Sequence, residues 1–188
     1  MDMKKILFVC LAASLLACQN NNSEKVREQA AQKIAQAQSV LNAASASSEQ
    51  LTLAIEGKNV EQGEQLCLSV TAEGFAGLIS MQYSIRWDPK VLRFQNVANF
   101  QLPWLSEDNF GMHITDEGVV TFVWIDNDLK GVNVNDGDEL YQLCFEAVGE
   151  SGQESTVTLG QDPTPFEVVT VEENIIPLKP RPGKVAVR

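Results

Sequence analysis

From Ile79 to Trp87 the chain alternates residue by residue. Ile79, Met81, Tyr83, Ile85 and Trp87 fall on one side, and Ser80, Gln82, Ser84 and Arg86 on the other. A period of two predicts a strand with one buried face. Asp88-Pro89 ends it, because proline has no amide N–H for a ladder, and Val91, Leu92 and Phe94 resume the apolar pattern at once. Similar runs follow the same logic at Leu51–Glu56, Leu66–Ala72, Leu92–Val97, Val119–Asp126, Leu140–Val148, Ser155–Leu159, Phe166–Val171 and Lys184–Val187, with a short piece at Gly111–Thr115. Polar, Gly-punctuated turns separate them, Phe100–Asn109 and Asn127–Asp138 are longer loops, and Ile175–Pro182 reads as irregular. Short strands without intervening helices predict an all-β, two-sheet sandwich over residues 51–188.

The first fifty residues carry a different pattern. Lys4 and Lys5 precede an apolar run, Ile6–Leu16, and then Leu15-Leu16-Ala17-Cys18. A basic start, a short apolar stretch and a small residue before the cut predict a secretory leader over 1–17. The run is shorter than the roughly 20 residues a membrane span needs. Leu-Leu-Ala-Cys resembles the bacterial lipobox, which implies a diacylglycerol thioether on Cys18 and a fatty acyl chain, such as palmitate, on its amine. Two or more chains suffice for stable anchoring. Gln19 and Asn20 stand where an inner-membrane retention signal carries aspartate, so the expected address is the outer membrane of the cell envelope. Ser23–Ala46 has no Gly or Pro, and Val26, Ala30, Ile34, Ala37 and Leu41 recur three or four apart. This spacing predicts a helix capped by Ser23, serving either as a spacer or as a short coiled coil. With the Ser/Ala-rich hinge that follows, it makes 18–50 a lipidated linker.

Charge narrows the partners. The chain carries a net −11. From Leu51 on, 21 Asp and Glu stand against nine Lys and Arg, which excludes a nucleic-acid module built on a basic stripe. Of the four cysteines, Cys10 leaves with the leader and Cys18 takes lipid. Cys67 and Cys144 remain as either one structural disulfide or two inert thiols. Alternation turns both outward, so they can bond only on neighbouring strands of one sheet or at an edge.

Catalytic groups are sparse. His113 is the only histidine and has no nucleophile motif beside it, so no enzyme is expected. Asp126, Asp128, Asp136 and Asp138, with Asn133 and Asn135, crowd one turn-rich loop and make a weak calcium candidate that fails the EF-hand template, because Lys130 occupies a ligand position. No other metal or cofactor is expected. Either Trp104 and Phe110 in the long loop stack on a sugar ring as exposed aromatics, or the loop is pinned to the core by Leu102, Trp104 and Leu105.

Trp87-Asp88-Pro89-Lys90-Val91-Leu92 resembles the tyrosine-Asp-Pro-x-x-Leu signature of cohesin domains. Further pieces follow in the family's order: GEQLCLSV, Gly118–Trp124, Asn135–Tyr141 ahead of Leu143-Cys144-Phe145, and Gly183–Val187. The resemblance implies a jelly-roll sandwich of about nine strands, of the carbohydrate-binding-module superfamily, and a non-enzymatic binding role. It also implies a contact face on the sheet holding the Ile79–Trp87 strand: Ser80, Gln82, Ser84 and Arg86, with Thr121, Val123 and Ile125 one strand across. Where the family tends to carry an outward Asn-x-Asp pair, this chain has Ser80 and Gln82. The expected function is recognition of an envelope or extracellular protein. The alternative is carbohydrate binding in polysaccharide capture or catabolism.

Overall fold

The computed structural model describes residues 50–188, together with Lys33, which is helical and exposed. The expected leader, the expected lipidation site Cys18 and the rest of the helix expected over 23–46 lie outside the described residues. The strands are β1 (Leu51–Ile55), β2 (Lys58–Val60), β3 (Gln65–Glu73), β4 (Leu78–Arg86), β5 (Leu92–Ala98), β6 (Phe110–Gly111), β7 (Val119–Ile125), β8 (Glu139–Ala147), β9 (Glu154–Gly160), β10 (Glu167–Thr170), β11 (Leu178–Arg181) and β12 (Gly183–Val187). They form two sheets, β11-β1-β3-β8-β5 and β2-β12-β9-β4-β7-β6, with β10 continuing beside β4. The expected all-β sandwich is therefore the fold.

Twelve strand segments replace the nine or so expected. The surplus comes from pieces such as β2 and β11, which have no alternating pattern. They form because the backbone beside them offers a partner: β11 runs parallel to β1 and β2 parallel to β12. The 111–115 strand shrinks to the two-residue β6, followed by a 3-10 turn at Thr115–Glu117.

The core is aromatic. Tyr83 stacks on Phe122 at 4.6 Å, and Phe122, Phe110 and Tyr141 close the cluster. Across the layers the Tyr83 and Tyr141 hydroxyls are 2.8 Å apart and satisfy each other. Burial pushes both phenols up; at Tyr83 the neighbouring Tyr141 adds to this, and at Tyr141 the hydrogen bond partly opposes it. Tyr83→Phe should cost about 1–3 kcal/mol, because Tyr141 keeps a buried hydroxyl without a partner. Removing both hydroxyls should restore most of that loss. Urea unfolding of the two singles and the double checks this, and simple additivity would remove the bond from the account.

The Asp88-Pro89 corner shows why its residues occur together. Asp88 accepts the Lys90 N–H on its side chain and the Val91 and Leu92 N–H groups on its carbonyl. The buried Trp87 indole donates to Leu92 O at 2.9 Å, and its ring meets Phe94 and Phe145. One expectation shifts. Ile79 is half-buried, whereas Leu78 is fully buried. Pairing with β10 slips between Val169 and Thr170, so Val169 faces Ser80 but Thr170 faces Leu78. This bulge inverts the alternation at the start of β4.

Candidate contact face

β4 and β7 pair in register, with Ser80 opposite Ile125, Gln82 opposite Val123 and Ser84 opposite Thr121. On the other side of β4, Val169 faces Ser80 and Glu167 faces Gln82, and Ile175 is bridged to Val169. Directly opposed residues point to the same side of a sheet. The outer face is thus a half-buried polar stripe, Ser80 and Gln82, with Val123 and Ile125 on one flank and Val169 and Ile175 on the other. Val123 is 43 % exposed, Ile125 48 % and Ile175 70 %.

Of the seven expected face residues one is closed and two are engaged by other segments. Ser84 is fully buried: its hydroxyl accepts the Thr164 N–H at 2.9 Å and faces the Thr164 carbonyl at 3.3 Å. Arg86 donates to the Asp162 carbonyl at 2.7 Å and pairs with its carboxylate at 3.2 Å. The 161–166 loop therefore lies across this end of the sheet. Thr121 is half-buried and opposes Gly111, and a Cβ at Gly111 would meet its Oγ1 at 2.3 Å. Local alternation gives no sign of these covers, because they come from distant segments.

The long loop resolves its own alternatives residue by residue. Leu102 and Leu105 are buried, whereas Trp104 is 53 % exposed. Phe110 does not stack on any ligand surface: it is 5 % exposed and packs on Phe122 and Tyr141. It opposes Phe122 in the β6–β7 pair and so faces inward. Trp104 instead shares a shallow hollow of about 400 Å³ with Asp108, Asn109, Val123, Ile125 and Asn127. The sheet flank and the loop aromatic, separate in sequence, form one surface.

The acidic loop spends its oxygens on its own donors and on the backbone of the 74–77 turn. Asp126 is 2 % exposed and accepts the N–H groups of Asp128, Lys130 and Gly131, each at 3.0 Å. Burial alone would raise its carboxyl; these donors, with the Trp104 side chain, outweigh that and hold it below its ordinary value. Asp128 pairs with Lys130, Asp136 accepts the Gly74 N–H and Asp138 accepts from Asn135. Asn133 accepts the Gly77 N–H. Asp138 and Asn135 line a polar hollow of about 490 Å³ with Asn99, Gln101 and Glu139. Among the described residues no three acidic, histidine or cysteine side chains gather as metal ligands, so the calcium candidate does not form a cage. His113 is exposed on the turn after β6. Cys67 and Cys144 are directly opposed on β3 and β8 and joined as a disulfide.

Two packed β-sheets, one with a mixed polar and apolar outer face, place the protein among the β-sandwiches. The sequence model of the Cohesin domain family matches residues 51–173, and the chain belongs to that family. Similar solved structures share the fold. A Clostridium thermocellum OlpA cohesin, solved with the Doc918 dockerin, is 12 % identical with a TM-score of 0.62, covering 74 % of this chain and 99 % of that one. The sixth cohesin of Acetivibrio cellulolyticus scaffoldin B, in complex with a Cel5 dockerin, is 16 % identical with a TM-score of 0.61 over the same shares. A non-cellulosomal cohesin from the archaeon Archaeoglobus fulgidus is 15 % identical with a TM-score of 0.54, covering 74 % of this chain and 91 % of that one. No curated protein matches the chain in sequence.

Proposed function

We propose that this chain is a non-enzymatic, lipid-anchored module of the bacterial cell envelope that docks a partner protein, of the dockerin kind, on the outer face of the β4–β7 sheet. One observation carries the docking surface: the half-buried Ser80 and Gln82 lie between the exposed Val123 and Ile125 on one side and Val169 and the exposed Ile175 on the other, a layout suited to a protein interface. Two of the similar cohesins were solved with dockerins, which supports the partner class. Binding of the full-length chain to purified dockerin modules, measured by surface plasmon resonance, tests it. Gln82→Arg with Ile125→Arg should weaken the complex at least tenfold, and unchanged binding would sink this face.

The anchor is proposed on the Leu-Leu-Ala-Cys pattern ending at Cys18. Cys18→Ser should abolish labelling by a palmitate analogue and move the protein from the membrane to the soluble fraction. Retained labelling would remove Cys18 from this role.

One observation favours the second reading, glycan binding. Trp104 offers an exposed indole beside Asp108 and Asn127. Binding to an oligosaccharide array that is lost in Trp104→Ala would support it.

A further inference from the structure

Trp104 is presented rather than merely left outside. Its neighbours Leu102 and Leu105 are buried, with the Leu105 N–H on Leu102 O. The Pro103 carbonyl is held at 2.8 Å by the indole N–H of the buried Trp124. Between these anchors Trp104 takes φ +63, a left-handed conformation that costs a bulky residue about 1–3 kcal/mol and recurs at ligand clamps. On the far side of the hollow, the Asn109 amide donates to Val123 O at 2.9 Å and accepts the Ser106 N–H at 2.8 Å. The hollow is thus walled by an indole carried on a pinned backbone and floored by Val123 and Ile125.

Its rim has one sign of charge. Asp108 lines the hollow, Glu107 precedes it, and Glu167 lies across Gln82 from Val123. Among the described residues none of these three has an ion-pair partner, and on the bordering elements the only two cations, Arg86 and Lys130, are already paired with Asp162 and Asp128. A hollow with an apolar wall and floor (Trp104, Val123, Ile125), a polar edge at Ser106, Asn109 and Asn127, the unpaired Asp108 in its lining and Glu107 and Glu167 nearby complements an apolar side chain flanked by positive charge.

We infer that the Trp104–Val123–Ile125 hollow is the anchor socket of the contact face, and that it takes a protein segment presenting an aliphatic or aromatic side chain between lysines or arginines. This rests on the docking function proposed above. It shifts the centre of the interface away from the Ser84–Arg86 end of β4, where the 161–166 loop intervenes, towards β7. The same carboxylates disfavour acidic partners, which gives the socket selectivity as well as affinity.

The test uses the full-length chain against the dockerin panel and an array of short synthetic peptides differing in apolar and charged content. Bound members should carry an apolar residue beside Lys or Arg and should weaken steeply as salt rises. Trp104→Gly keeps the left-handed backbone without strain but removes the indole together with its hydrogen bond to Asp126, so urea unfolding of the variant accompanies the binding measurement. It should reduce affinity at least tenfold, with partial rescue by Trp104→Phe. Asp108→Lys with Glu167→Lys should cut affinity several-fold and flatten the salt dependence. If Gln82→Arg with Ile125→Arg abolishes binding but Trp104→Gly stays within twofold, the docking face stands and the socket is refuted. Preference for acidic or uncharged peptides, or displacement by a soluble oligosaccharide, also refutes it. Absence of binding to every module and peptide overturns the socket and the docking function together.

Discussion

Replacing Cys67 and Cys144 together by alanine should lower the unfolding free energy by about 3–4.5 kcal/mol. The two residues are 77 apart in sequence, and cross-linking a loop of that length removes unfolded-state entropy equivalent to about 4.5 kcal/mol at room temperature in the chain-entropy account, with measured values more often about 2–4 kcal/mol. The bond joins β3 to β8 in the middle of the five-stranded sheet. Both strands are otherwise well anchored there by Leu66, Leu68, Leu143 and Phe145, all buried. Its loss should therefore act mainly on the unfolded chain, which expands when released. Urea unfolding should show a lower midpoint together with a larger slope, because the slope follows the surface exposed. The proposed contact face belongs to the other sheet, so partner affinity well below the melting temperature should not change. A loss of affinity equal to the loss of stability would show that the disulfide shapes the face itself.

That disulfide marks the boundary of what can be read from the chain. Alternation in QLCLSV and YQLCFEA turns both cysteines outward, which leaves bonding to the accident of which strands are neighbours. Strand order is a long-range property: β3 meets β8 across more than seventy residues, and nothing local encodes that. The strands themselves are legible where alternation persists, as in VVTFVWID, where Phe122 and Trp124 are buried and Val123 and Ile125 exposed. Phase is lost at Ile79, because a bulge depends on pairing with β10. The proposed contact face is legible as a side of β4 and β7 but not in extent, since the 161–166 loop that buries Ser84 and engages Arg86 approaches from about eighty residues away. In Leu102, Trp104 and Leu105, three apolar residues compete for the interior. The left-handed backbone at Trp104, invisible in the sequence, decides that the largest of them faces out. Phe110 fails the other way: set among polar loop residues, it reads as exposed, yet its two-residue pairing with β7 turns it inward.

The Asp88-Pro89 corner yields the other large effect, through a residue outside its motif. Gly118 sits at φ +75, and a Cβ there would lie 2.3 Å from the Trp87 carbonyl oxygen and 2.8 Å from Pro89 Cδ. Its own carbonyl accepts the Trp87 N–H at 3.1 Å. Two separate costs follow for Gly118→Ala: the left-handed backbone and the collision with a main-chain atom that has no free rotation. Gly63 separates them. It has a similar φ of +84, and a methyl group added there would meet nothing within 4 Å, so Gly63→Ala reports the conformational cost alone, about 1 kcal/mol. Gly118→Ala should lose about 3–5 kcal/mol, the excess arising from overpacking against the Trp87 carbonyl. Urea unfolding of the two variants side by side checks the difference. Because β7 starts at Val119, a displaced Gly118 also shifts the strand that carries Val123 and Ile125, so partner affinity should fall in Gly118→Ala and remain unchanged in Gly63→Ala. Equal stabilities for the two variants would mean that the corner yields freely, and the close approach of Gly118 to Trp87 would then not explain why a glycine stands there.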